Sequence, residues 1–341
     1  MNSNICSIFE LYYACKLPPD TDSFPDRIDL DKKLLLTPRP AVERFIRKNI
    51  SPLLEKLPSR QRLILTQMLK KIRKGKRKIE IESPAEAEIN QLFLLLAKKN
   101  NIPMPEWNGK KSVLCITHDV DNSLGYDFVR NVLDIEKSYS VCSTFNFVTN
   151  YNYRIGKDLL DNMLKEGYEI GLHGYSHDIA LAYRKPWRIK DRLAKAIETL
   201  GGNIRGFRAP ALAVSETLFR ILEELGIKYD SSLPVTHPFY TSVRCSFPYK
   251  YPGRNLWEIP LSLQDDTLFR DANFDNTAAM NVILKNIKDT SLIGGVCVVN
   301  FHPHILVNKI GFYKNFLETV RKNPDLWITP TGVIFDCVNA N

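Results

Sequence analysis

Val113-Leu-Cys-Ile-Thr-His-Asp-Val-Asp121 is the stretch from which the fold is read. Its apolar run, rich in β-branched residues, makes a short buried strand that ends abruptly in His118, Asp119 and Asp121. Enzymes of the α/β class present their chemistry where an apolar strand runs out at its carboxyl end. Asp119 and Asp121 share a side in extended geometry and can diverge in the turn that follows, so one can hold a metal while the other takes a proton. Asp-x-Asp at a strand end is also ordinary turn chemistry, and the weight of this pair depends on its surroundings.

Working outward, strand and helix patterns alternate. Strands are expected at 112–117, 142–148, 168–172, 204–207, 227–230, 256–261 and 296–301, with a last one near Trp327. Helices are expected at 126–137, 157–166, 187–200, from the Ser215 cap to 225, 277–288 and 312–321. About seven such units predict parallel strands wrapped by helices, closed into a barrel rather than left as an open sheet. Residues 1–110 read differently. Helix-period segments at 35–50 and 53–72 are broken by Pro38, Pro40, Pro52 and Pro58, and a further helix at 84–99 ends before Pro103 and Pro105. The expected organisation is a helical N-terminal extension, 1–110, and a catalytic domain, 111–341.

A 44% hydrophobic and 25% charged composition belongs to an ordinary globular chain. The net charge of +9 is spread too thinly for a nucleic-acid footprint. Basic residues concentrate only at Lys70–Lys78, either a solvated turn or a contact for phosphate on an anionic membrane or a lipid-linked substrate. Seven widely spaced cysteines suit reduced core thiols, and neither a secretory signal nor a membrane-spanning run is recognisable, so a cytoplasmic protein is expected.

Unusual polar residues recur at the expected strand ends. The third strand runs into Gly171-Leu-His-Gly-Tyr-Ser-His177, the fourth into Phe207-Arg208-Ala209-Pro210, the fifth into Tyr229-Asp230, and a later one into Asn300-Phe301-His302-Pro303-His304. Of the six histidines, all but His237 fall at such ends, the face where barrels keep their active sites. His173 and His177, four apart, put two imidazoles on one side of a turn; with Asp121 they supply three ligands and leave a position open, as in a catalytic metal site. Asp119 is then placed as general base, with Arg208 holding it ionised or serving as a structural ion pair. His302 can protonate a departing group, with Asp230 setting its tautomer. A backbone N–H after Pro210, such as that of Ala211, would meet an oxyanion. The parts describe metal-assisted hydrolysis of an amide or ester.

These residues resemble the motifs of the polysaccharide deacetylases, the NodB-homology group of carbohydrate esterase family 4, in the family's order from Lys111 to Pro330. Thr117-His-Asp-Val-Asp121 is similar to the first motif, His173-Gly-Tyr-Ser-His177 to the second and Arg208-Ala-Pro210 to the third; Asp230 fits the fourth and His302 the fifth. The resemblance implies a distorted (β/α)7 barrel and a divalent metal, usually Zn2+, on Asp121, His173 and His177. It further implies Asp119 as base, Arg208 as its positioner, His302 as acid, and removal of an acyl group, usually N-acetyl, from sugars. Ala211 stands where an aromatic is usual, Pro234 where a tryptophan follows the fourth motif, Gly174 where Ser or Thr is common, and His118 where phenylalanine is frequent. His118 is expected to lie just behind the site, and His304 to compete with His302 for the acid role. The expected substrate is an N-acetylated amino sugar in a glycan, sugar nucleotide or lipid-linked intermediate. The rival readings are a deformylase or O-deacetylase of the same fold and a non-catalytic glycan-binding module.

Overall fold

The computed structural model describes residues 83–99, 101, 104, 106–237, 242–251 and 253–339. The expected helices at 35–50 and 53–72 and the basic run Lys70–Lys78 lie outside the described residues. A helix α1 (Glu88–Lys99) is followed by β1 (Ser112–Val120), α2 (Ser123–Ser138), β2 (Thr144–Phe147), α3 (Lys157–Lys165), β3 (Glu169–Leu172) and α4 (Pro186–Thr199). Then come β4 (Gly206–Phe207), α5 (Glu216–Glu224), β5 (Tyr229–Asp230), β6 (Tyr249–Lys250), β7 (Trp257–Glu258), β8 (Leu263–Gln264) and α6 (Asn276–Leu292). The chain ends with β9 (Val296–Asn300), α7 (Pro303–Leu306), α8 (Ile310–Arg321), β10 (Leu326–Ile328) and α9 (Thr331–Asn339).

The strands pair in the order β6-β7-β5-β4-β3-β2-β1-β9-β8, parallel except for β6 against β7, with β10 beside the start of β1. The backbone from Trp257 to Gln264 joins the two edges: Ile259 N donates to Asp230 O on one side, and Ser262 N donates to Val298 O on the other. That single bent segment turns a curled sheet into the distorted (β/α)7 barrel that the alternation and the family resemblance both imply.

All nine residues of β1 are buried, and its two faces go to different cores. Leu114, Ile116 and Val120 join the apolar layer between sheet and helices, whereas Val113 and Cys115 join a smaller cluster with Tyr229, Trp257, Ile259, Val296 and Val298 inside the ring. Ile334, Phe335 and Val338 of α9 belong to the interior cluster, and the N–H groups of Thr331 and Gly332 donate to Thr144 Oγ1 and Glu169 Oε2. The last helix, which the sequence reading did not anticipate, therefore plugs the amino-terminal end of the barrel and leaves the carboxyl end for chemistry. Residues before β1 also pack on the barrel: the Phe93 and Phe247 rings lie tilted with centroids 4.2 Å apart, the Asn90 amide donates to Ser246 Oγ, and Trp107 Nε1 donates to Gly294 O.

Candidate active site

The carboxyl ends of β1 and β3 bring the expected ligands together. Asp121 Oδ1 lies 3.3 Å from His173 Nε2 and 3.4 Å from His177 Nε2. His173 Nδ1 faces the carbonyl oxygen of Arg208 at 2.8 Å. A carbonyl only accepts, so Nδ1 carries the hydrogen and Nε2 presents its lone pair toward Asp121. Asp121 Oδ1 is itself buried with no hydrogen-bond donor. Asp121 Oδ1 and His173 Nε2, two acceptors facing one another, fit a cation with His177 Nε2 as a third ligand atom, and nitrogen or oxygen ligands at about 2.0–2.1 Å in a tetrahedron stand about 3.3 Å apart. Asp121, His173 and His177 form one of two groups among the described residues whose ligand atoms lie within 4.8 Å of one another. Side-chain exposures of 18% for Asp121 and 28% for His177 leave the pocket open to a substrate.

Local backbone serves this arrangement. Gly174 has φ +85, and a Cβ there would also press on Pro210 Cγ at 3.3 Å, so glycine suits the position where the family commonly has Ser or Thr. His177 itself sits at φ 50, in the left-handed region that costs a side chain energy.

Asp119 is buried, and strand register hands it two partners that sequence reasoning missed. Asn146, opposite it on β2, donates to Oδ1 at 2.8 Å, and Asn300 on β9 donates to Oδ2 at 3.0 Å. Asn300 is oriented in turn by Thr117, whose hydroxyl donates to its Oδ1 at 2.8 Å. Gly171 lies opposite Asn146, and any Cβ there would collide with the Asn146 amide oxygen. The available signal was an asparagine inside each of two otherwise apolar strands, Phe145-Asn-Phe147 and Val299-Asn-Phe301. Arg208 Nη1 stands 3.9 Å from Asp119 Oδ2, as a nearby charge without a direct hydrogen bond, while Nη2 donates to Ser231 Oγ at 3.1 Å. Burial pushes the Asp119 carboxyl up, but the surrounding positive field, from Arg208 and His302 among others, outweighs it and holds the group below its ordinary value.

His302 reaches the same pocket, with Nε2 at 3.8 Å from Asp121 Oδ2. Its partner is Asp265 and not Asp230: Nδ1 faces Asp265 Oδ1 at 2.5 Å, and the His302 N–H donates to Oδ2 at 2.8 Å. Burial alone would lower His302, yet the charges of Asp265 and Asp121 raise it well above the usual imidazole range. Asp230 is excluded by strand alternation, because Tyr229 takes the barrel interior and its neighbour must face the other way. There Asp230 accepts from Ser232 Oγ beside Glu258 of β7, and burial raises both carboxyls, Asp230 to about 6. With Asp265 as the acidic partner, the residue four places on is the aromatic Phe269 and not Pro234. Burial and the His302 charge lower His304, which suits a proton donor less well.

His118 does not lie behind the site. It points to the helical side, where Nδ1 faces Phe301 O at 3.0 Å and Nε2 faces Glu136 Oε1 at 2.8 Å; Tyr313 and Ser143 also donate to Glu136. Ala211 has φ 51 and ψ 29, a strained turn directly after Pro210.

A curled β/α barrel with a histidine–carboxylate pocket at its carboxyl rim defines the NodB-type class. Residues 107–229 match the model of the polysaccharide deacetylase family. Divalent metal is the cofactor of this family's deacetylases. A Mycobacterium smegmatis protein described as a polysaccharide deacetylase superposes with a TM-score of 0.57 at 21% identity, covering 70% of this chain and 93% of that one. One from Pseudomonas aeruginosa PAO1 gives 0.57 at 15% identity, covering 71% and 96%. Puue allantoinase gives 0.58 at 15% identity, covering 70% and 94%, so the barrel by itself does not choose the substrate. An uncharacterized 30.6 kDa protein of Geobacillus stearothermophilus is 32% identical over 24% of this chain, and the match spans only 36% of the length of that curated relative. No described helix is long and apolar enough to cross a membrane.

Proposed function

We propose that this chain is a metal-dependent carbohydrate deacetylase that hydrolyses the N-acetyl group of an amino sugar. The observation that carries the reading is the convergence of three ligand atoms, from Asp121, His173 and His177, between a carboxyl held ionised and an imidazole held protonated. Those three residues would hold a divalent cation, most simply Zn2+ given two imidazoles and one carboxylate, which polarises a carbonyl and acidifies water when bound.

The chain's own residues account for the proton movements. Asp119, ionised and pinned by Asn146 and Asn300, accepts a proton from the attacking water as its oxygen bonds to the acyl carbon. Arg208 supports that ionised state through its field. His302, whose Nδ1–H is committed to Asp265, donates from Nε2 to the sugar nitrogen as the C–N bond breaks. The products are acetate and a free amine. A binding module that had lost turnover would have no need of a base, three metal ligands and an acid together.

The substrate we propose is a sugar nucleotide or lipid-linked intermediate of glycan assembly met in the cytoplasm, with residues 1–110 as an accessory segment. Acetate and amine release from a panel of soluble, nucleotide-linked and lipid-linked N-acetylated sugars tests this, alongside metal analysis of the purified protein. Equal amounts of acetate and amine, abolished by a chelator and restored by Zn2+, are expected. Formate in place of acetate would assign a deformylase, loss of an O-acetyl group alone an esterase, and turnover unaffected by metal removal would end the proposal.

A further inference from the structure

The rim around this pocket carries unpartnered apolar and basic side chains, and we propose that it docks on an anionic lipid bilayer. Among the described residues, seven large hydrophobic side chains are exposed, and four of them, Leu124, Tyr151, Trp187 and Ile310, sit at the carboxyl end of the barrel. Two others, Leu164 and Leu292, lie in the last turns of α3 and α6, at the opposite end. Trp187, in the first turn of α4, is 66% exposed. So much apolar surface beside a polar active site calls for something to cover it.

The four side chains lie along one connected arc. Asn152 accepts from the Ser123 N–H at 3.0 Å and donates to its hydroxyl at 3.2 Å, which ties the Tyr151 loop to Leu124. The Asn150 N–H donates to Tyr175 O at 2.6 Å, linking that loop to the turn that carries His177 and then leads to Trp187. On the other side, a Cβ on Gly125 would stand 3.3 Å from the His304 nitrogen, so Leu124 adjoins the α7 segment that runs on to Ile310.

Charge selects the occupant. Arg154, Lys157, Lys185 and Arg188 are exposed along the same arc and make no ion pair with another described residue; the exposed acids Asp127 and Asp158 lie among them and Asp275 near the Ile310 end. A neutral polysaccharide would use aromatic platforms, but it has no use for exposed leucine and isoleucine or for free cations. Tryptophan and aliphatic side chains interleaved with lysine and arginine match the interface of a membrane bearing negative headgroups. Docking in this orientation would point Asp121 and His177 at the lipid surface. The inference rests on the proposed reaction only for the reason such docking is useful, since a lipid-linked sugar is presented there.

Flotation of the full chain with phosphatidylglycerol-containing vesicles and with phosphatidylcholine vesicles tests the proposal. Trp187→Ser with Leu124→Ser, and separately Lys185→Glu with Arg188→Glu, keep residues 1–82, so any affinity of that segment is common to all samples. We expect binding to the anionic vesicles only, weakened by salt and by about tenfold or more in each double variant, with hydrolysis of a soluble N-acetylated sugar unchanged. A blue shift of tryptophan fluorescence on binding, lost in Trp187→Phe, is expected because Trp107 and Trp257 are buried and the half-buried Trp327 sits in β10 beside the start of β1, at the opposite end from the rim. Equal binding to both vesicles, variants that float like the wild type, or variants that lose only retention on a neutral polysaccharide would each overturn the proposal. Docking without acetate release would refute the proposed reaction and leave this surface standing; acetate release without docking would do the reverse.

Discussion

His118 and Asp119 are neighbours on one strand, both buried and both ionisable, and they belong to different parts of the molecule. Asp119 faces the barrel interior beside a pocket where Asp121 Oδ1 has no donor and three ligand atoms converge. His118 faces the helices, and its needs are met: one ring nitrogen has a carbonyl, the other a glutamate that also accepts from Tyr313 and Ser143. Because Phe301 O can only accept, Nδ1 must donate, and the Nε2–Glu136 contact holds the one further proton between its two partners. The difference teaches that burial and charge do not make a site. An incomplete set of partners, open to solvent on one side, does.

The sharpest way to break that comparison is to change each neighbour and read both rate and stability. Asp119→Asn should lower the rate of acetate release by about 10²–10⁴-fold while metal content and thermal midpoint stay near wild type; normal turnover would remove Asp119 from the base role. On the other face, Glu136→Ala strands His118 and two hydroxyls in the core. It should cost about 3–5 kcal/mol in a denaturant titration, with the rate of the folded fraction preserved. A fall in rate without loss of stability would move the His118 cluster into the catalytic machinery.

Smaller effects sharpen the same contrast. Asp265 raises His302, so with His302 as the proposed acid the active form would carry the proton and activity should be lost as pH rises through the His302 pKa. Asp265→Asn therefore should shift the alkaline limb of kcat/KM to lower pH, with a rate loss on the order of tenfold or more; an unmoved limb would assign it to another group. Replacing both partners, His118→Phe with Glu136→Leu, should cost less than Glu136→Ala, because no imidazole stays buried unpaired and no cavity opens, while the Tyr313 and Ser143 hydroxyls lose their acceptor in both. A double variant as unstable as Glu136→Ala would show that Tyr313 and Ser143, not the imidazole, set the cost.

Much of this was legible beforehand. The alternation of strand and helix is a local pattern, and β1, α2 and β9 appear within a few residues of their expected ends. Asp119, Asp121, His173, His177, Arg208 and His302 were recognisable because rare polar types stand at strand ends, and the barrel does gather them at one rim. The Asp230 assignment failed for a reason pattern alone does not reveal. Both Asp230 and Asp265 lie near strand ends, and only the pleat sends one outward while the bent segment after β7 carries the other to His302.

Residue order along the chain thus determined the class of fold and the chemical types available at its rim, since hydrophobic period and strand termination are local properties. Partnership was settled by tertiary structure: Asn146 and Asn300 on Asp119, Asp265 on His302, Glu136 on His118, and the exposed arc from Ile310 to Trp187. Each depends on register and facing between segments far apart in sequence, where a shift of one residue reverses which side a group occupies.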